Sequence, residues 1–287
     1  PRSTLFPYTT LFRSFHMKAL ILHSDDLGYS LDANRRIFSA FNEGLLSSAS
    51  VMVNMPGSMH ALKNSAGVKD RFGLHLNLTE GFPLSEASEL PELTDEKGRF
   101  AGPLKLAVLT AGSGLNLSLR RQWRREMELQ FQKALDNGLQ VSHVTGHHYI
   151  ETFPSLREDV LTLCARYGIR NIRVACDPTP LRIFARHASH LKLPWVVWVR
   201  RNADNLWREA VARGFCFPDI TLGVGMAGRI NSELVDFWLK RHVAHGLGRV
   251  EIVFHIGVST RKSPLERLTL KAESNESRTL KELAGRR

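Results

Sequence analysis

Cysteine is scarce: the 287-residue chain has three, Cys164, Cys176 and Cys216. An odd number with no CxxC spacing excludes a complete disulfide framework and points to a reducing, cytoplasmic setting rather than a secreted one. Long apolar runs are missing too, and nothing approaches the ~20 residues of a bilayer-spanning helix. No internal repeat or low-complexity segment is evident. The opening PRSTLFPYTTLFRSFH lacks a continuous apolar core and a small-residue cleavage site, so it does not read as a signal peptide. It reads as a non-native, adapter-like leader over residues 1–16, with Met17 as the expected start and one folded domain expected over 17–287.

Acidic residues are outnumbered, 28 Asp and Glu against 39 Lys and Arg, for a formal charge of +11. Such a balance permits nucleic-acid binding. No helix-turn-helix or RNA-binding signature accompanies it, and charge alone specifies little, so no nucleic acid is expected. Arg120, Arg121, Arg124 and Arg125, with the basic stretch 182–213, are compatible with a homodimer interface, a solvent face or a glycan contact.

What the chain does have is short apolar runs alternating with helical patterns. Strands are expected at 18–23, 48–54, 72–78, 141–145, 171–175, 195–199, 220–222 and 250–255. Helices are expected at 32–43, 118–137, 154–167 and 231–242; the first carries Ala33, Ile37, Ala40 and Phe41 on one face, the second Trp123, Met127 and Phe131. Alternation of this kind argues for an α/β protein with a parallel sheet, open or closed into a barrel. The stretch 79–114 exceeds a simple connection and is expected to cover substrate.

The run LILHSDDLG drives an apolar strand into Asp25 and Asp26. Adjacent carboxylates repel and are costly to desolvate. One could cap the following helix, but the second is left over. His75 interrupts the alternating GLHLNLT, with Asn77 on its face; His143, His147 and His148 sit at the exit of VSHVTGHHYI, and His255 ends EIVFH. In parallel α/β architectures, active sites gather where strands end. Two imidazoles and one carboxylate suit a catalytic divalent ion. One aspartate would then ligate, leaving the other to take a proton from an activated water.

The blocks SDDLG, LLSSASVMVNMP, GLHLNLTEGFPLS, HVTGHHYIETFP and EIVFHIG, in that order, resemble the YdjC-like carbohydrate deacetylases, which include chitooligosaccharide deacetylases and a hopanoid-biosynthesis branch. The resemblance implies a distorted (β/α) barrel that removes N-acetyl groups from sugars with one divalent metal ion, Mg or Zn. It implies Asp26, His75 and His147 as metal ligands, Asp25 as general base and His255 as general acid. Asn77, Thr79, His148 and Tyr149 are the expected contacts to an acetylated sugar. Against the family pattern, Thr145 replaces an acidic residue, Tyr149 and Glu151 replace two histidines, and Ile256 stands where proline is common. These changes bear on the surroundings of the ligands and on the sugar pocket. They leave two alternatives: hydrolysis of another amide or ester, or a sugar-binding homologue with altered catalysis.

Overall fold

The computed structural model describes residues 19–112, 116–187, 192–243, 248–257 and 273–285; the expected leader and start lie outside them. Six parallel strands form one sheet, in the order β4-β3-β2-β1-β6-β5. They are β1 (Ala19–Leu27), β2 (Ser48–Val51), β3 (Phe72–Leu76), β4 (Val144–Gly146), β5 (Ile220–Leu222) and β6 (Arg249–Phe254). The extended segment 171–176 spans the gap between the sheet's ends. On the β4 side Val144 donates to the Asn171 carbonyl and accepts from the Arg173 amide, and on the other side the Thr221 amide of β5 donates to the Cys176 carbonyl. A curled α/β half-barrel results: the alternating pattern led one to expect the parallel sheet, and the family resemblance its barrel-like curl. The expected strand at 171–175 is extended backbone that pairs with its neighbours only at isolated bridges.

Helices pack outside the curl: α1 (Leu31–Asn42), α2 (Ser58–Ser65), α3 (Pro103–Gly112), α4 (Leu117–Asp136), α5 (Pro154–Arg166), α6 (Leu181–His187), α7 (Leu193–Ala212), α8 (Ser232–Val243) and α9 (Glu273–Gly285). Leu74 and Leu76 of β3 are fully buried, each contributing about 1.5–3 kcal/mol. His75 between them turns to the opposite face, as the two-residue period of a strand requires. Among the described residues no helix is long and apolar enough to cross a membrane.

One expected strand is wrong. Residues 195–199, WVVWV, lie inside α7, whose buried positions Val196, Val199, Ala203, Leu206 and Ala210 repeat every three or four residues. Bulky β-branched composition suggested a strand, but the period over the longer window is helical. The stretch 79–114 is also no plain loop. It holds a short 3₁₀ turn, a bridge between Thr94 and Phe100, and α3, whose Thr110 carbonyl accepts a hydrogen bond from Ser155 at the start of α5.

Candidate active site

Neither aspartate caps α1. Ser30 does, its hydroxyl accepting from the Ala33 amide at 3.1 Å. Asp25 and Asp26 belong to the end of β1, where the register with β2 slips between Ser24 and Leu27 and Asp26 adopts a positive φ of 65°. In a regular strand, successive side chains point to opposite faces; a bulge re-aims one of them. Both carboxylates therefore approach His75: Asp25 Oδ1 lies 3.9 Å from Nδ1 and Asp26 Oδ1 3.5 Å from Nε2. The turn that follows is tight. Gly28 has φ +95°, and a Cβ there would sit 2.5 Å from the Met52 carbonyl oxygen. Asn34 of α1 holds it, accepting from the Gly28 amide at 2.7 Å and donating to the Gly57 carbonyl at 2.8 Å.

His147, at the end of β4, brings Nδ1 to 3.2 Å from Asp26 Oδ1. Asp26, His75 and His147 are all buried, and each offers one donor atom within 4.8 Å of the others. Two imidazole nitrogens and a carboxylate oxygen, with room for further ligands, match the donor set of an open divalent-metal site. The residues present fit the ion that the motifs implied. His75 is oriented from behind: Thr145, its partner across the β3–β4 ladder, sets its hydroxyl 2.7 Å from Nδ1, which leaves Nε2 toward Asp26. The departure at Thr145 thus keeps a hydrogen-bonding group behind the ring but makes it neutral. Burial draws the His75 pKa down against the attraction of Asp25 and Asp26, favouring the neutral imidazole that a ligand must be. Burial has the same sense at His147, but Asp26 and Glu80 outweigh it and raise that group to about 9.

Two residues that the sequence reading passed over shape the base. Arg173 sets Nη1 2.8 Å from each oxygen of Asp25, while its Nε and Nη2 donate to Glu251 at 3.0 and 2.9 Å. All three are buried. Burial would raise the Asp25 carboxyl, but the Arg173 guanidinium, with His75 and His23 beside it, holds it well below the usual carboxylate range. His23 adds a ring nitrogen 3.1 Å from Asp25 Oδ1, and the Ser50 hydroxyl donates to the same oxygen at 3.1 Å. A signal was available: Arg173 and Glu251 are lone opposite charges inside strand-like runs, NIRVA and VEIVF. His255, just past β6, places Nε2 3.7 Å from Asp25 Oδ2, and its amide donates to the buried Glu276 of α9 at 2.6 Å.

The expected sugar contacts have varied placements. Asn77 is fully buried, and its side chain organises the turn: Oδ1 accepts from the Thr79 and Glu80 amides at 3.0 Å each, and Nδ2 donates to the Glu80 carbonyl at 2.7 Å. Thr79 is also buried, its hydroxyl 2.9 Å from His148 Nδ1. His148 is partly exposed, its ring centroid 4.0 Å from that of His147. His148 and Tyr149 both have positive φ, 55° and 60°, a costly pairing for residues with side chains. Tyr149 is buried, and its hydroxyl accepts from the Gly225 amide at 3.3 Å. His143, expected near the strand exit, instead precedes β4, with its ring against Gly73 and edge-on to His23 at 5.1 Å.

Comparison with known proteins places this geometry in context. A carbohydrate deacetylase from Brevibacillus brevis is 34% identical over 234 residues, 79% of this chain and 80% of that protein. A carbohydrate deacetylase from Danio rerio is 28% identical over 73% of this chain and 66% of its own length. A crystal structure described as a cellobiose-phosphate cleavage protein, from Enterococcus faecalis V583, superposes with a TM-score of 0.62 at 17% identity, covering 93% of this chain and 94% of that one; it shares the fold. Residues 19–285 match the family described as YdjC-like protein, and the chain belongs to that family.

Proposed function

We propose that the protein is a carbohydrate deacetylase that uses one divalent ion, Zn or Mg, to hydrolyse the acetamide of a sugar containing N-acetylglucosamine. The observation that carries this is the meeting of Asp26, His75 and His147 beside Asp25, with His255 across from it, in a member of this family. Asp26, His75 and His147 would hold the ion; two nitrogen donors suit zinc better than magnesium, which prefers oxygen. When bound, such an ion polarises a carbonyl and makes a neighbouring water more acidic.

The chain's own groups supply the proton transfers. Asp25, kept ionised by Arg173, takes one proton as the water oxygen bonds to the acetyl carbon. The C–N bond then breaks, and His255 protonates the departing sugar amine. The products are acetate and a free amino sugar. Arg173, bound to both oxygens of Asp25, prevents the base from rotating away, so its geometry is set before substrate arrives.

The test is acetate release from a panel of N-acetylated oligosaccharides and glycoconjugates, with Zn²⁺ or Mg²⁺ added and with a chelator as control. Release that needs the ion supports the proposal. Silence across the panel, from protein shown to hold the ion, overturns it.

A further inference from the structure

Glu80 has no role in the proposed proton transfers, yet it touches a proposed ligand. Its Oε2 lies 2.9 Å from His147 Nε2, on the side of the ring opposite the Nδ1 that faces Asp26. A carboxylate accepts, so Nε2 must carry the proton, and this contact favours a ring whose Nδ1 is free to give its lone pair. Glu80 is itself held from several directions. The Tyr29 hydroxyl donates to its Oε1 at 2.6 Å. Its backbone is bracketed by Asn77, whose own peptide is gripped by Gln130 of α4 at 3.0 and 2.6 Å. The chain must turn directly after it: Gly81 has φ +73°, and a Cβ there would lie 2.7 Å from Met55 Sδ. Three strand exits are thereby tied together, Tyr29 following β1, Glu80 following β3 and His147 following β4.

We infer that Glu80 is a positioning residue for the metal centre, fixing the tautomer and tilt of His147 through its Nε2 proton, with Tyr29 holding Glu80 in place. The inference rests on the reading of Asp26, His75 and His147 as ligands. A carboxylate behind a ligating imidazole orients the ring and makes it a stronger donor, and removing such a partner typically weakens ion binding by about 10–100-fold. The same contact gives the start of the 79–114 stretch a defined task, which is to support a ligand from outside the ion.

The experiment is calorimetric titration of the full chain with Zn²⁺ and Co²⁺, together with the visible spectrum of the Co²⁺ form and ¹⁵N NMR of the histidine rings without metal at about pH 10, above the value of about 9 at which His147 becomes neutral. Glu80→Ala should weaken both ions by about 10–100-fold, alter the Co²⁺ bands and move His147 away from the Nε2-protonated form. Glu80→Gln, which keeps the shape and a neutral acceptor, should fall between, and Tyr29→Phe should act in the same direction to a smaller extent. A purely structural role would leave the tautomer and the Co²⁺ bands of the folded Glu80→Gln variant as in the wild type, and that result overturns the inference. If the wild type binds Co²⁺ but His75→Ala binds it equally well, the ligand assignment falls as well; if only the Glu80 variants behave as wild type, the ligands stand and this inference alone is lost.

Discussion

Arg173 and Asp25 meet side-on, Nη1 at 2.8 Å from both carboxylate oxygens, inside a barrel where neither is exposed to water. The rest of the guanidinium is taken by Glu251, so one cation offsets two buried carboxylates. Removing one partner of such a group leaves charge stranded, at a cost of about 3–5 kcal/mol. Arg173→Gln should lose stability of that order in urea unfolding.

Arg173→Lys asks a finer question. Lysine keeps the charge but is a point donor that cannot grip two carboxylates as the planar fork does. The hold on Asp25 weakens, so its pKa rises toward the ordinary carboxylate value. The acid limb of the kcat/KM profile should move to higher pH, because the base is lost to protonation sooner. An unmoved limb would show that Arg173 does not set the state of Asp25.

Asp25→Asn separates the proposed base from the proposed ligands. The amide is isosteric and still accepts from Arg173, but it cannot take a proton. Turnover should fall roughly 10²–10⁴-fold, while Zn²⁺ titration stays close to wild type, since Asp26, His75 and His147 are untouched. In His147→Ala the pattern reverses at its first step: ion binding itself is lost, and added Zn²⁺ does not restore acetate release. Turnover of Asp25→Asn near the wild-type rate would exclude the base role.

Much of the candidate site was legible because its residues break local patterns. His75 interrupts a leucine alternation, Asp25 and Asp26 end an apolar run, and the three meet as that placement suggested. What local pattern could not reveal is how two adjacent aspartates face one side. That needs the bulge and the positive φ at Asp26, both products of pairing with β2. Arg173 was hidden for a related reason: its segment is extended but makes only isolated bridges, and the partners that explain its charge lie on β1 and β6. The strand expected at 195–199 failed because five residues cannot reveal a helical period, whereas the twenty of α7 can. Asn77 shares a face with His75 in the strand pattern, but that pattern could not reveal that its buried side chain organises the turn that follows.

Glu151 offers the clearest dependence of stability on pH. It is fully buried behind Gly146, and neither carboxylate oxygen has a hydrogen-bonding neighbour among the described residues. Burial pushes its carboxyl up to about 8, from an ordinary 4.5, against the opposing pull of its own amide and of Arg173. The folded chain therefore keeps the proton at neutral pH, where the unfolded chain has released it. Because the folded pKa is the higher one, the advantage is complete below the unfolded value and is lost as pH rises from about 4.5 to about 8. Over that window the wild type should lose on the order of 4 kcal/mol from this group. Glu151→Gln removes the titration while keeping the shape. Urea unfolding should find the variant close to wild type at pH 5 and clearly more stable at pH 8.5. Parallel stability curves for the two proteins across that range would mean that Glu151 does not hold its proton in the fold.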